Sequence, residues 1–166
     1  MKKILLVVMT IVLCFSSVAC GLKETVSGDN NFKVGTKFKI ADFEVKLTKW
    51  ETSKKLKYDA DSNKSYVVLY LTVKNTSSEA KTFDYKTGGK DHIQSEIGYE
   101  KNGHTYNATK LTNAMEDVKE LDTSQIPAGE TVKGVLVFSV PDEILENKSA
   151  VYEIKYNDVL VKIPLK

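Results

Sequence analysis

From Phe32 onward, apolar residues recur at every second position. Phe38 and Ile40 alternate with lysines, and Phe43, Val45 and Leu47 alternate with Glu44 and Lys46. That is the spacing of a strand with one face buried. Trp50 breaks the parity, because continuing from Leu47 would turn Lys49 inward. A bulge near Thr48 is therefore expected, returning the only tryptophan to the core. Residues Tyr66 to Val73 (YVVLYLTV) give the strongest strand signal: Val67, Leu69, Leu71 and Val73 share one face, and Tyr66, Val68, Tyr70 and Thr72 share the other. A run so rich in β-branched and aromatic residues belongs in a central strand.

Further strands are expected to begin at Phe83 and Tyr85, over Ile93, Ile97 and Tyr99, and from His104 to Ala108 after the hairpin pair Asn102-Gly103. Leu111, Met115, Val118 and Leu121 recur at helical spacing, and Asn113 with Glu116 has the form of a capping box, so one short helix is predicted there. After a turn at Pro127-Ala128-Gly129, Val132, Gly134, Leu136, Phe138 and Val140 alternate until Pro141 stops the strand. Tyr152, Ile154 and Tyr156 then face Val159, Val161 and Ile163 across Asn157-Asp158, and Pro164 suits a strand end or an edge. Short strands separated by turn signals point to an all-β protein, a β-sandwich.

The chain before Phe32 is of another kind. Met1-Lys2-Lys3 leads into an apolar run from Ile4 to Phe15, then Ser16, Ser17, Val18 and Ala19 precede Cys20. A basic start, an apolar stretch shorter than the roughly 20 residues of a spanning helix, and small residues at the cut describe a secretory signal peptide. Val18-Ala19-Cys20-Gly21 resembles the lipobox of bacterial lipoproteins, in which the cysteine takes on its sulfur one lipid group carrying two palmitate-type acyl chains and becomes the first residue. Ser17 stands where that pattern prefers Leu, and Cys14 is a poor substitute because Leu13 is too large for the small position. The polar stretch Gly21 to Asn31 (GLKETVSGDNN) reads as a flexible tether. The expected organisation is thus a signal peptide over 1–19, lipidated Cys20 with its tether over 20–31, and a single domain over 32–166.

Charge and cysteine content narrow the function. Loss of Lys2 and Lys3 with the signal brings the 24 basic residues down to parity with the 22 acids. A near-neutral domain without arginine has no footprint for nucleic acid. No disulfide is expected, since Cys14 leaves with the signal and Cys20 is committed to lipid. Compactness must come from core packing.

The residues VGTKFKIADFEVKL from Val34 to Leu47, YVVLYLTVKNTSSEAKTF from Tyr66 to Phe83, Asn102 to Tyr106, and IPAGETVKGVLVFSVP from Ile126 to Pro141 resemble a family of bacterial extracellular lipoprotein modules. Its members have an immunoglobulin-like fold and no assigned function, and are sometimes mislabelled as telomeric-repeat-binding-factor-like. The resemblance implies an immunoglobulin-like β-sandwich and transfers turns and core positions, with no catalytic residue. Fold alone does not give function.

Candidate chemistry is sparse. Asp59, Asp61 and Asn63 copy the first three side-chain positions of a calcium loop, but Lys64 stands where its glycine belongs and Tyr70 where its bidentate Glu belongs. His92 and His104 sit at strand ends in polar company, short of the three or four ligands zinc or copper wants. No serine lies in a Gly-x-Ser-x-Gly elbow, and Glu116, Asp117 and Glu120 fall on the polar side of the predicted helix. No catalytic residue, metal site or cofactor is expected, and the chain is read as a non-enzyme. If the strands of Tyr66–Val73 and Val132–Val140 are neighbours, Tyr66, Val68, Tyr70, Val135 and Val137 form an outward apolar patch, a candidate partner surface.

The function expected is a membrane-anchored surface lipoprotein with a non-catalytic binding or accessory domain. Its place would be the outer face of the cytoplasmic membrane of a Gram-positive bacterium, its partner an unidentified envelope or extracellular protein. The alternatives are an envelope enzyme and a small-solute-binding lipoprotein. Cys20→Ser is expected to abolish acyl labelling and hold the unprocessed precursor in the membrane; continued acylation of the variant would refute the assignment.

Overall fold

The computed structural model describes residues 21–83, 92–115, 120–121 and 125–166. Two sheets pack face to face as a β-sandwich. The first runs β1 (Lys23–Glu24), β3 (Lys37–Ile40), β4 (Phe43–Ser53), β5 (Lys64–Asn75), β9 (Thr131–Pro141) and β8 (Thr109–Leu111). The second runs β2 (Gly28–Asn31), β11 (Val159–Pro164), β10 (Val151–Tyr156), β6 (Gln94–Lys101) and β7 (His104–Asn107). Pairing is antiparallel except at β1 with β3 and β2 with β11. No helix among the described residues is long and apolar enough to cross a membrane.

The period-two residues meet between the sheets. Phe38, Ile40, Val45, Leu47, Val67, Leu69, Leu71, Val73 and Phe138 from the first sheet pack on Ile97, Tyr152, Ile154, Val161 and Ile163 from the second. Each such aliphatic side chain, removed from water, contributes on the order of 1.5–3 kcal/mol. Tyr152 is fully buried, and its hydroxyl donates to Ser95 Oγ at 3.1 Å; burial drives its deprotonation far above the usual range. The expected bulge is present. The register of β4 on β5 slips between Leu47 and Lys49, and Trp50 then lies opposite Leu69 and packs on the core. Asn102 and Gly103 both take positive φ, 53° and 75°, as a two-residue type I′ hairpin turn requires.

Asn75, part of the Lys74-Asn75-Thr76 stretch, is fully buried and ties one end of the sandwich together. Its amide donates to Glu79 O at 2.7 Å and Ile126 O at 2.8 Å, and its Oδ1 accepts from the Ser77 N–H at 2.9 Å. The turn after Ile126 closes with Glu130 N donating to Pro127 O at 3.2 Å.

Three sequence-based expectations are corrected. The stretch read as a flexible tether is folded: Lys23–Glu24 pairs along β3, Gly28–Asn31 pairs along β11, and Asn30 is buried with its amide donating to Val26 O and Gly28 O. Backbone pairing does this without apolar side chains, so hydropathy carried no sign of it. The helix expected over Leu111 to Leu121 is also absent from the described part of that segment. Thr109–Leu111 extends along β9, Asn113 takes φ 57°, and Glu120 pairs in parallel with Val135. The one helix described, α1 (Asp142–Glu146), follows Pro141 instead, where the missing N–H and fixed φ of proline end the strand and open a helical turn. Phe83, expected at the start of a strand, is itself in none; it is buried edge-on against Phe43 at 5.3 Å, beside the isolated bridge of Lys81 with Ile126. Tyr85 and Val118 lie outside the described residues.

Gly134 is where the returning chain enters the core. A Cβ there would stand 2.5 Å from Leu121 Cα, while Leu121 N donates to Val135 O at 2.9 Å and the Leu121 side chain joins the main core. Gly134→Ala is therefore expected to lower stability by about 1–3 kcal/mol, because backbone must move to admit the methyl. Urea unfolding measures it, and a variant as stable as the parent would show that Leu121 does not pack there.

Candidate functional site: the outer faces of the two sheets

The five residues expected to form a partner surface do come together. In the β5–β9 ladder Val68 stands opposite Val137 and Tyr70 opposite Val135, with Tyr66 on the same face. The face they form is nevertheless closed. Val68, Val135 and Val137 are each 1% exposed, packed with Tyr66 and Ala114 and bordered by Leu56, Ala60, Leu111 and Met115. Two irregular segments supply that cover, joined where Lys57 N donates to Ala114 O at 3.1 Å, and the Tyr66 hydroxyl donates to Asp59 O at 3.0 Å. The candidate patch is a second small core, not an open surface. Leu111 and Met115, spaced as if for a helix, reach it from extended and irregular backbone.

Tyr70 marks the margin of this cover. Its hydroxyl hydrogen-bonds Glu51, and the Lys49 ammonium sits 4.0 Å from its ring centroid. The bond from Tyr70 holds the Glu51 carboxyl below its usual range, and the same bond raises the phenol. Past Tyr70 the face opens into a depression of about 380 Å³ lined by Thr48, Tyr70, Thr72, Lys133, Gly134 and Val135. Thr48 Oγ1 donates to Tyr70 O at 2.9 Å, so the bulge residue shapes one wall. Beyond the depression the outward positions are mostly lysine. Lys37 stands opposite Lys46, Glu44 lies between Lys39 and Lys74, and Thr72 stands opposite Lys133. A hydrogen bond from Lys37, with the charges of Lys37, Lys74 and Lys39, holds the Glu44 carboxyl below its usual range against its own desolvation.

The outer face of the second sheet is polar in a different way. Asn107 Nδ2 donates to Glu96 at 2.5 Å, Glu96 pairs with Lys155, Lys155 lies 3.3 Å from Glu153, and Lys162 lies 2.7 Å from Asp29. Each lysine of this ladder has a carboxylate partner. The Glu153 carboxyl carbon lies 3.2 Å from where a Cβ on Gly98 would stand, so the glycine makes room for it. Burial lifts the Glu153 carboxyl above its usual range, against the pull of Lys162.

The remaining sequence candidates do not converge. Asp59 stands 3.8 Å from Lys55, Asp61 is 2.9 Å from Lys64, and the Asn63 carbonyl accepts the Asp142 N–H at 3.0 Å. His92 borders a hollow with Asp42 and Lys81, whereas His104 is on exposed β7 with its ring 6.5 Å from that of Tyr106. Among the described residues no three His, Cys, Asp or Glu side chains gather as metal ligands. Cys20 lies outside the described residues.

With this geometry established, comparison with known proteins places the chain. A domain of unknown function, DUF4352, matches residues 32–162. The chain belongs to the DUF4352 family. No curated protein sequence matches it. Among solved structures, this DUF4352 chain is similar to an uncharacterized β-sandwich protein from Clostridium difficile 630, with 20% identity, a TM-score of 0.54, and 88% of this chain and 95% of that one covered. It is also similar to a candidate lipoprotein from Bacillus subtilis, with 19% identity, a TM-score of 0.54, and 79% of this chain but 38% of that one covered. A functionally unknown protein from Listeria monocytogenes EGD-e shares 15% identity at a TM-score of 0.52, over 78% of this chain and 82% of that one. At these identities the likeness establishes the sandwich fold.

Burial of Glu153 is expected to give this DUF4352 domain a pH dependence. A carboxyl raised in the folded state binds its proton more tightly there than in the unfolded chain, so the group costs stability as pH rises through its folded value. Glu153→Gln is expected to raise stability at pH 7 by up to about 1 kcal/mol and to lose the advantage below pH of about 4. Melting curves at the two pH values check this; an equal effect at both would remove the protonation account.

Proposed function

We propose that this chain is a lipid-anchored surface lipoprotein whose immunoglobulin-like sandwich serves as a non-catalytic binding or accessory module. Its place is the outer face of the cytoplasmic membrane in a Gram-positive cell. The observation that carries the reading is the junction at Cys20: a signal-like segment ends there, and the folded domain starts almost at once with Lys23–Glu24 in β1. The likeness to a Bacillus subtilis candidate lipoprotein supports the same reading. A non-catalytic role is supported by how the charged groups are used. Glu96, Lys155, Lys162, Asp29, Lys101 and Glu143 pair with one another on the surface. The depression beside Tyr70 offers the Thr72 hydroxyl and the Lys133 ammonium, suited to holding an anion or a polar group.

Intact protoplasts treated with a membrane-impermeant amine reagent test the placement. The lysines of the domain should be labelled before lysis as fully as after it. Labelling only after lysis would place the domain inside the cell and end the proposal.

A further inference from the structure

The two outer faces differ in how their lysines are matched. On the second sheet Lys155 and Lys162 have carboxylate partners. On the first sheet Lys37, Lys39, Lys46, Lys74 and Lys133 spread over four neighbouring strands; Glu24 and Glu44 lie among them, and a further outward acid, Glu51, stands toward the other end of β4 and pairs with Lys49. Glu44 pairs with Lys37, and Lys39, Lys46, Lys74 and Lys133 make no ion pair among the described residues. Unmatched like charges on neighbouring strands repel one another. A pattern of that kind is favourable when an anionic surface covers it.

The fold also fixes where the chain enters. Lys23 lies beside Phe38 and Glu24 beside Lys39, so β1 borders the strand that carries Lys37 and Lys39. Only Gly21 and Leu22 separate Lys23 from Cys20, and three Cα steps reach at most about 11 Å. That reach is close to the Debye length of about 8 Å at physiological salt, within which a charged bilayer still attracts cations. From β3 to β9 the lysine band covers three strand spacings of about 4.8 Å each. A domain lying on this face would bring all five ammonium groups to the headgroups.

We infer that the lysine-bearing half of the first sheet is a membrane-docking face that binds anionic phospholipid headgroups. For proximity it rests on the anchor at Cys20, and the charge pattern supplies the rest. A lipid anchor joined to a basic patch holds a protein to a membrane more firmly than either does alone. Thr72 and Lys133 line the adjoining depression, so a phosphate there would meet a hydroxyl donor as well as charge.

The test uses the acylated protein purified in detergent and reconstituted through its own anchor into vesicles. One set is phosphatidylcholine alone; the other also contains phosphatidylglycerol. Labelling by a soluble amine reagent is followed lysine by lysine with peptide mass spectrometry. At low salt Lys39, Lys46, Lys74 and Lys133 should label about fivefold more slowly on the phosphatidylglycerol vesicles, and the difference should vanish near about 0.5 M salt. Lys155 and Lys162 should label equally on both. The double variant Lys46→Gln, Lys74→Gln should return Lys39 and Lys133 toward their phosphatidylcholine rates. Equal rates for the four lysines on both vesicles overturn the docking face. Protection that arises on phosphatidylcholine only when soluble polyglycerol phosphate is added assigns the face to an anionic polymer and overturns it too. Loss of flotation with phosphatidylcholine vesicles overturns the anchor instead, while labelling with phosphatidylglycerol vesicles still decides the face.

Discussion

Strand β5 is apolar on both sides, and much of the architecture follows from having to cover each. Val67, Leu69, Leu71 and Val73 point toward the second sheet, while Tyr66 and Val68 point away from it. A sandwich ordinarily leaves the outer side of each sheet to water. Here β9 repeats the pattern beside β5, with Val135 and Val137 outward and Leu136 and Phe138 inward. Together these outward residues would expose a contiguous apolar area, and two irregular segments fold back to prevent it. Ordering a residue costs about 1–2 kcal/mol in backbone entropy. That cost is offset because few cover residues shield several valines at once.

The route of the second cover explains the least obvious glycine. After leaving β8 at Leu111 the chain passes over the outer face through Ala114, then returns at Glu120 and Leu121 to the inner side of β9. It serves two cores in a dozen residues, and Gly134 is the position at which β9 lets it through. The N-terminal segment plays a comparable part on the opposite side. It pairs first with β3 and then with β11, joining the edges of both sheets before Phe32 stacks on Phe38 at 5.0 Å. The folded domain consequently begins close to Cys20, with β1 carrying the chain to within three residues of it.

Closure of the apolar patch concentrates whatever this face can do into its uncovered half. There the outward positions are mostly lysines and threonines, with Glu24 and Glu44 among them, and the bulge at Thr48 together with Gly134 leaves a depression on that half. The second sheet, where Lys155 meets Glu96 and Glu153 and Lys162 meets Asp29, offers no comparable excess of lysine. The contrast between a matched and an unmatched face is a property of register, because it depends on which strands lie side by side.

The sequence alone determined the strands of the core, the bulge that returns Trp50 inward, the Asn102-Gly103 hairpin and the stop at Pro141. Each of these is written in local alternation or in the backbone preferences of a few adjacent residues. It also placed Tyr66, Val68, Tyr70, Val135 and Val137 correctly on a common outward face. Whether that face meets water was decided by contacts with Leu56, Leu111, Ala114 and Met115, residues distant along the chain that the alternation within β5 and β9 does not announce. The same holds for Lys23–Glu24 and Gly28–Asn31, which become strands through backbone hydrogen bonds to partners distant in sequence, with almost no apolar side chain to announce them. Hydropathy records what a residue would gain from burial. Only the assembled tertiary structure decides which neighbour provides it.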